Sequence, residues 1–273
     1  MDHRQPRPPL DLESSFTTRF RMICEPICAR GRQTDQPSRS TDQLRVVIGH
    51  KTELIDLRRS GWERAMGDLT LHWSPRSPFV RKVMVAAHEL GLTDRLTLRR
   101  TVVQMTKPNP DLLPDNPLSK IPTLVLADGS ALIDSGVICE YLDSLAGGGV
   151  IIPATGPERW SELSRHALAT GFLDLLILWR NERNKPTERQ TADWLSSFAT
   201  KASASLARFE SEAGPIAPGP LSLSGIALGC CLSYLDFRFT DLDWRAGHPK
   251  LAQWHDAFRQ RPSAIATEVR DDG

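Results

Sequence analysis

The amino-acid sequence predicts an α/β N-terminal domain of order βαβ-ββα, then an all-α helical-bundle domain, with a disordered extension ahead of both. Three observations carry this reading. Strand-like and helix-like periodicities alternate between residues 68 and 145. An Asp-Gly turn at 128–129 sits between two apolar runs, a strong short hairpin signal. Beyond residue 157 the pattern is helical almost throughout. The domains are read as 1–67 (extension), 68–145 (α/β) and 157–267 (helical).

The α/β part divides as follows. LTLHW reads as the first strand. Pro78 to Leu90 reads as a helix, started by Ser77 with a proline at its first position. Phe79, Val83, Ala86, Ala87 and Leu90 fall on one stripe at helical spacing, and Gly91 ends the helix. Arg81 and Lys82 are assigned to its solvent face. RLTLRRTVV is a second strand, and TLVLADGSALI supplies two more around the turn. Asp134 opens another amphipathic helix through Val137, Ile138, Tyr141 and Leu142. A linker, AGGGVIIPATGP, leads into helices expected over 157–182, 187–212, 222–239 and 248–260, which should pack as a bundle.

Composition narrows the function classes. The chain has 273 residues, 25% of them charged and 40% hydrophobic, with a net charge of +1. Such a balance gives no long-range field for nucleic acid or an anionic membrane. No run approaches a membrane span; FLDLLILW at 172–179 carries Asp174 and reads as a buried helix face. Five cysteines without framework spacing point to a reducing, cytoplasmic compartment. Cys24 and Cys28 lack a second Cys/His pair, so no metal site is expected. Cys230 and Cys231 read as packed thiols, and Cys139, on a buried helix stripe, as a poor nucleophile. His72, His88, His166, His248 and His255 show no nucleophile-partner spacing and read as surface or packed residues.

Residues 1–67 hold Pro-rich and Ser/Thr/Gln-rich stretches, with eleven arginines against one lysine. The acids Asp11, Glu13, Glu25, Asp35 and Asp42 spoil a transit-peptide signature. Disorder is the expectation, with LRVVIGH the only core-like run. Met66, directly before the first strand of the α/β domain, offers an alternative translation start.

The turn SPRSPFV raises the chemical question. A dithiol enzyme would place Cys-x-x-Cys at such a strand-to-helix junction, whereas this chain has Ser74 and Ser77. SPFVRKV (77–83), NPLSKIPTLVLADGSALIDSGVICEYL (116–142) and HPKLAQWHDAFRQRPSAIAT (248–267) together resemble the glutathione transferase superfamily of cytosolic type, with a serine-containing active-site turn. The resemblance spans about 68–267. It implies a thioredoxin-like domain that binds glutathione and a helical domain that holds a small hydrophobic electrophile.

The same resemblance implies the site. Ile121–Pro122 would be a cis pair whose backbone meets the cysteinyl part of glutathione. Asp134 and Ser135, at a helix start, would hold the γ-glutamyl group, Ser135 its carboxylate and Asp134 its ammonium. Ser77 aligns with the reactive sulfur of thiol-type relatives and would stabilise the glutathione thiolate, with Ser74 in reserve. Lys107 is the candidate for the glycine carboxylate. Ser119 stands where relatives often have Gly. At LSLSGIA, Ser222 can cap a helix, but Gly225 removes the reciprocal acid. The implied protein is a cytoplasmic homodimer that uses glutathione as co-substrate and no metal. Rival readings are a glutathione-dependent isomerase or dehalogenase, and a non-catalytic binding protein, since this fold hosts all of these.

Overall fold

The structure is a computed structural model that describes residues 43–48, 51–56 and 69–271. Within the stretch expected to lack structure, β1 (Gln43–Ile48) and β2 (Lys51–Asp56) pair antiparallel. The LRVVI part of β1 has the β-branched content that a pleated ribbon favours. The rest of the extension, including Cys24 and Cys28, lies outside the described residues.

The α/β domain follows the expected order. β3 (Leu69–Trp73) pairs parallel with β4 (Leu96–Arg100) through the crossover helix α1 (Pro78–Glu89). β5 (Thr123–Val125) and β6 (Ala131–Leu132) complete a mixed sheet of order β4-β3-β5-β6. The turn between them forms as its sequence requires. Gly129 has φ +84°, and Asp128 Oδ1 accepts from the Ser130 amide at 2.9 Å. Helix α2 (Ser135–Leu145) then packs against α1.

The helical domain contains α3 (Gly156–Arg183), α4 (Ala192–Glu212), α5 (Leu223–Arg238), α6 (Pro249–Arg259) and the short α7 (Pro262–Ala266). Phe172, Leu173 and Leu176 of α3 form its core with Phe198, Phe209 and Leu235. As expected, Ser222 caps α5, accepting from the Gly225 amide at 3.3 Å. The acid that Gly225 cannot provide comes from elsewhere. Glu162 of α3, buried, accepts from the Ser224 amide at 2.5 Å and from its hydroxyl at 2.8 Å. A second amide at the start of α5 is thus satisfied from across 62 residues of sequence.

The linker is held by the end of α2. Asp143 accepts from the amides of Gly149, Val150 and Ile151 at 2.8–3.0 Å, and Ile151 and Ile152 are buried. Val83 and Ala87 of α1, Leu71 of β3, Ile226 of α5 and Phe258 of α6 belong to one hydrophobic cluster that crosses the domain boundary.

One expectation is overturned. Arg81 and Lys82 do not face solvent; they are 7% and 0% exposed. Helix α1 lies between the sheet and the helical domain, so the side opposite its apolar stripe is buried as well. Helical periodicity reports an apolar stripe and cannot report a second domain covering the polar one. At its far end, Glu89 accepts from Arg261 (2.9 and 2.6 Å), from Ser263, and from the Leu221 amide (3.1 Å).

Candidate active site

Sheet register gathers most of the expected residues at one end of the α/β domain. His72 of β3 stands opposite Thr123, so Ile121–Pro122, just before β5, adjoins the turn that follows β3. Leu124 stands opposite Leu132, which brings Asp134 and Ser135 to the same end. Ser74, Ser77, Ile121, Pro122, Asp134 and Ser135 therefore share one edge. The Ile121–Pro122 peptide is cis. Lys107 lies exposed in the connection between β4 and β5, and no described contact ties it to this edge.

Ser77 is the N-cap of α1, its Oγ accepting from the Val80 amide at 3.3 Å. That bond uses a lone pair and leaves the hydroxyl proton free to donate. The first turn of α1 carries no acid, so its positive end is uncompensated. Ser74 is 8% exposed, and its Oγ receives only a long contact, 3.4 Å, from the Arg76 amide. Of the two serines, Ser77 has the more open position.

The start of α2 is built differently. Asp134 Oδ1 accepts from the amides of Gly136 (2.8 Å) and Val137 (3.4 Å). Two of the N–H groups that an incoming carboxylate would seek are thus already taken. Ser135, at 2% exposure, keeps a hydroxyl with no hydrogen-bond partner among the described residues.

The helical domain contributes residues that sequence reasoning missed. Lys82 Nζ donates to His166 Nε2 at 3.0 Å and to Thr170 Oγ1 at 3.2 Å, both on α3. Because an ammonium cannot accept, His166 presents Nε2 as a bare lone pair. Burial, then the Lys82 charge, depresses its pKa to about 4. A β-carbon placed on Gly136 would come within 3.1 Å of His166 Cε1, so α3 closes directly onto the α2 start. Asp174 lies one turn beyond Thr170 on the same face of α3, and burial raises its pKa against the pull of Lys120 and Lys82. The only sequence signal for these residues was the i, i+4, i+8 spacing of His166, Thr170 and Asp174.

The three described cysteines, Cys139, Cys230 and Cys231, are free and buried. Burial pushes the Cys139 thiol up to about 12 and Cys230 to about 11, so neither is a thiolate near neutrality. Among the described residues no group of three or more His, Cys, Asp or Glu side chains could hold a metal ion. Nor is any helix among them long and apolar enough to cross a membrane.

A mixed sheet with a cis-proline edge, followed by a helical bundle, defines a two-domain thioredoxin-like protein. Comparison with known proteins sharpens this. Residues 76–145 match the glutathione S-transferase N-terminal domain, and residues 192–257 match the glutathione S-transferase C-terminal domain. A glutathione transferase family member from Pseudomonas fluorescens Pf-5, solved with bound glutathione, is 40% identical with a TM-score of 0.70. The match covers 75% of this chain and all of that one. A glutathione S-transferase from Methylobacillus flagellatus KT, solved with glutathione, is 32% identical with a TM-score of 0.66, covering 74% of this chain and all of that one. An uncharacterized GST-like protein of Escherichia coli K12, YibF, is 29% identical over 196 residues, 70% of this chain and 94% of its own. The chain belongs to the glutathione S-transferase family.

Proposed function

We propose that this protein is a glutathione transferase that joins the glutathione thiolate to a small hydrophobic electrophile. The observation that carries the reading is Ser77: an N-cap hydroxyl with its proton free, at the positive end of a helix with no acid in its first turn. A free thiol has a pKa near about 8.5, and a donor plus a helix N-terminus lowers it. The Ser77 hydroxyl donates to the sulfur while its lone pair still caps α1. Ile121 meets the cysteinyl backbone, the Ser135 hydroxyl takes the γ-glutamyl carboxylate, and Asp134 Oδ2 takes the ammonium. Lys120, next to Ile121, is better placed than Lys107 for the glycine carboxylate. The electrophile sits against α3, beyond Thr170.

The working unit is a homodimer. Ile133, Val137 and Trp160 are exposed around the Arg159–Glu140 ion pair that joins α3 to α2, a patch suited to a second copy. A cytoplasmic location fits the three described cysteines, which are free and buried.

The test is Ser77→Ala. Turnover of a chromogenic electrophile should fall by about 10²-fold, the scale of losing one preorganised donor. Glutathione affinity by calorimetry should stay within about threefold, because the γ-glutamyl anchor is intact. Unchanged turnover would reduce Ser77 to a helix cap.

A further inference from the structure

Arg81 has no role in the reading above, and its surroundings are unusual. It is 7% exposed, yet it forms no ion pair with any carboxylate among the described residues. Its Nη2 donates to the Ala264 carbonyl at 3.2 Å, and its guanidinium lies 5.8 Å from the Phe258 ring centroid. Its Nε, fully buried, has no hydrogen-bond partner. A buried charge in this condition carries a desolvation cost that one carbonyl bond and one ring contact offset only in part.

Arg81 lines a cavity of about 280 Å³ between α1 and helices α5, α6 and α7. Arg259, Asp236, Phe237, Ile265 and Val269 also form its walls, whereas no residue of the 74–77 turn, the cis-proline edge or the α2 start does. The half-buried carboxylate there is already committed. Asp236 takes both Arg245 nitrogens at 2.5 and 2.6 Å and the Trp244 indole N–H at 2.9 Å. Arg259, on the wall, has no ion-pair partner among the described residues. Glu268 is the remaining acid, exposed at the rim. With Asp236 paired to Arg245, the exposed Glu268 is the one uncommitted acid on the wall facing Arg81 and Arg259. His255 bonds Ser233 on the cavity wall at 3.0 Å. Burial holds this histidine below its usual range against the pull of Asp236, and Arg245, Arg259 and Arg81 push the same way.

We infer that this cavity binds a small organic carboxylate, separately from the glutathione site. The carboxylate would meet Nη1 of Arg81, the guanidinium nitrogen that is neither sealed off like Nε nor bonded like Nη2, with Arg259 adding charge at the mouth. A short apolar body would lie against Phe237, Ile265 and Val269. A guanidinium edge suits a planar carboxylate. The volume is near the lower end for small-molecule sites.

The test is calorimetric titration of the full chain with acetate, butyrate and hexanoate at constant ionic strength, with inorganic phosphate in parallel. Saturable one-site binding should tighten from acetate to hexanoate by at least roughly tenfold, since each buried methylene is worth about fourfold. Arg81→Met should weaken hexanoate by about tenfold or more. Arg259→Gln, an exposed position, should weaken it by about two- to fivefold and decides the matter if Arg81→Met fails to fold. Hexanoate should still bind with S-hexylglutathione present. No saturable binding, equal affinity for acetate and hexanoate, phosphate binding as tightly as hexanoate, or indifference to Arg259→Gln would each overturn the inference. So would displacement of hexanoate by S-hexylglutathione, which would put it in the glutathione cleft.

Discussion

Two helix starts face the same edge of the sheet, and they are capped in opposite ways. At α1 a hydroxyl satisfies one amide and adds no charge, so the helix end stays positive. At α2 a carboxylate satisfies two amides and cancels that positive end. The first suits a developing thiolate. The second suits a zwitterion, in the reading proposed above, where Asp134 would meet an ammonium and the adjacent Ser135 a carboxylate. Both are ordinary caps by sequence, and what differs is the charge each leaves for a ligand.

Exchanging the caps tests this most severely. Ser77→Asp keeps an N-cap acceptor, so thermal stability should stay within about 0.5 kcal/mol. It also puts a negative charge where the thiolate forms, and kcat/KM should fall by about 10²–10³-fold, or about 3–4 kcal/mol of barrier. A variant that stays active would show that cap charge does not matter at α1.

The opposite end of α1 sets the next scale. Burial raises the Glu89 pKa, but the bonds from Arg261, Ser263 and the Leu221 amide outweigh it and leave the carboxyl below its ordinary 4.5. A depressed acid adds stability that is fully present above 4.5 and disappears as pH falls through the folded value. Glu89→Gln should therefore cost about 3 kcal/mol at pH 7, the lower range for breaking a buried pair, and progressively less below pH 4.5. Denaturant unfolding across pH 3–7 checks it, and a difference that does not change with pH would refute the ionised pairing.

At α2, Asp134→Asn preserves the cap oxygen and removes only the charge. Glutathione binding should weaken by about 1.5–3 kcal/mol with little change in stability. Calorimetric titration reads this directly. An equal loss of stability would assign Asp134 to the cap alone.

The smallest effect concerns the backbone before the cis proline. Ser119 has φ +49°, a left-handed conformation that glycine adopts freely. Ser119→Gly should stabilise the fold by up to about 1 kcal/mol, offset in part by losing the 2.8 Å bond from the Asn109 amide to its hydroxyl. Chemical denaturation would resolve the sign.

Local chemistry was legible and distant pairing was not. Ser77 before Pro78, Asp128–Gly129, and Asp134 before its helix each announce a structure within a few residues, and each formed. The Lys82–His166 contact joins positions 84 apart, and Glu89–Arg261 joins positions 172 apart. No periodicity encodes such partners, so buried cations on α1 read as solvent-facing. Lys107 illustrates the reverse. Its residue type suited the expected task, and no contact among the described residues ties it to the other expected residues.

Helix α1 is gripped from both sides: Lys82 by α3, Arg81 by α7, and Glu89 by Arg261. Cut at the linker, the α/β half would strand an ammonium, a guanidinium and a carboxylate on one short helix without the groups that satisfy them. The two domains are therefore modules in appearance only. They should melt as a single cooperative body, and a homologous half exchanged for either should have to bring its own matching partners for α1.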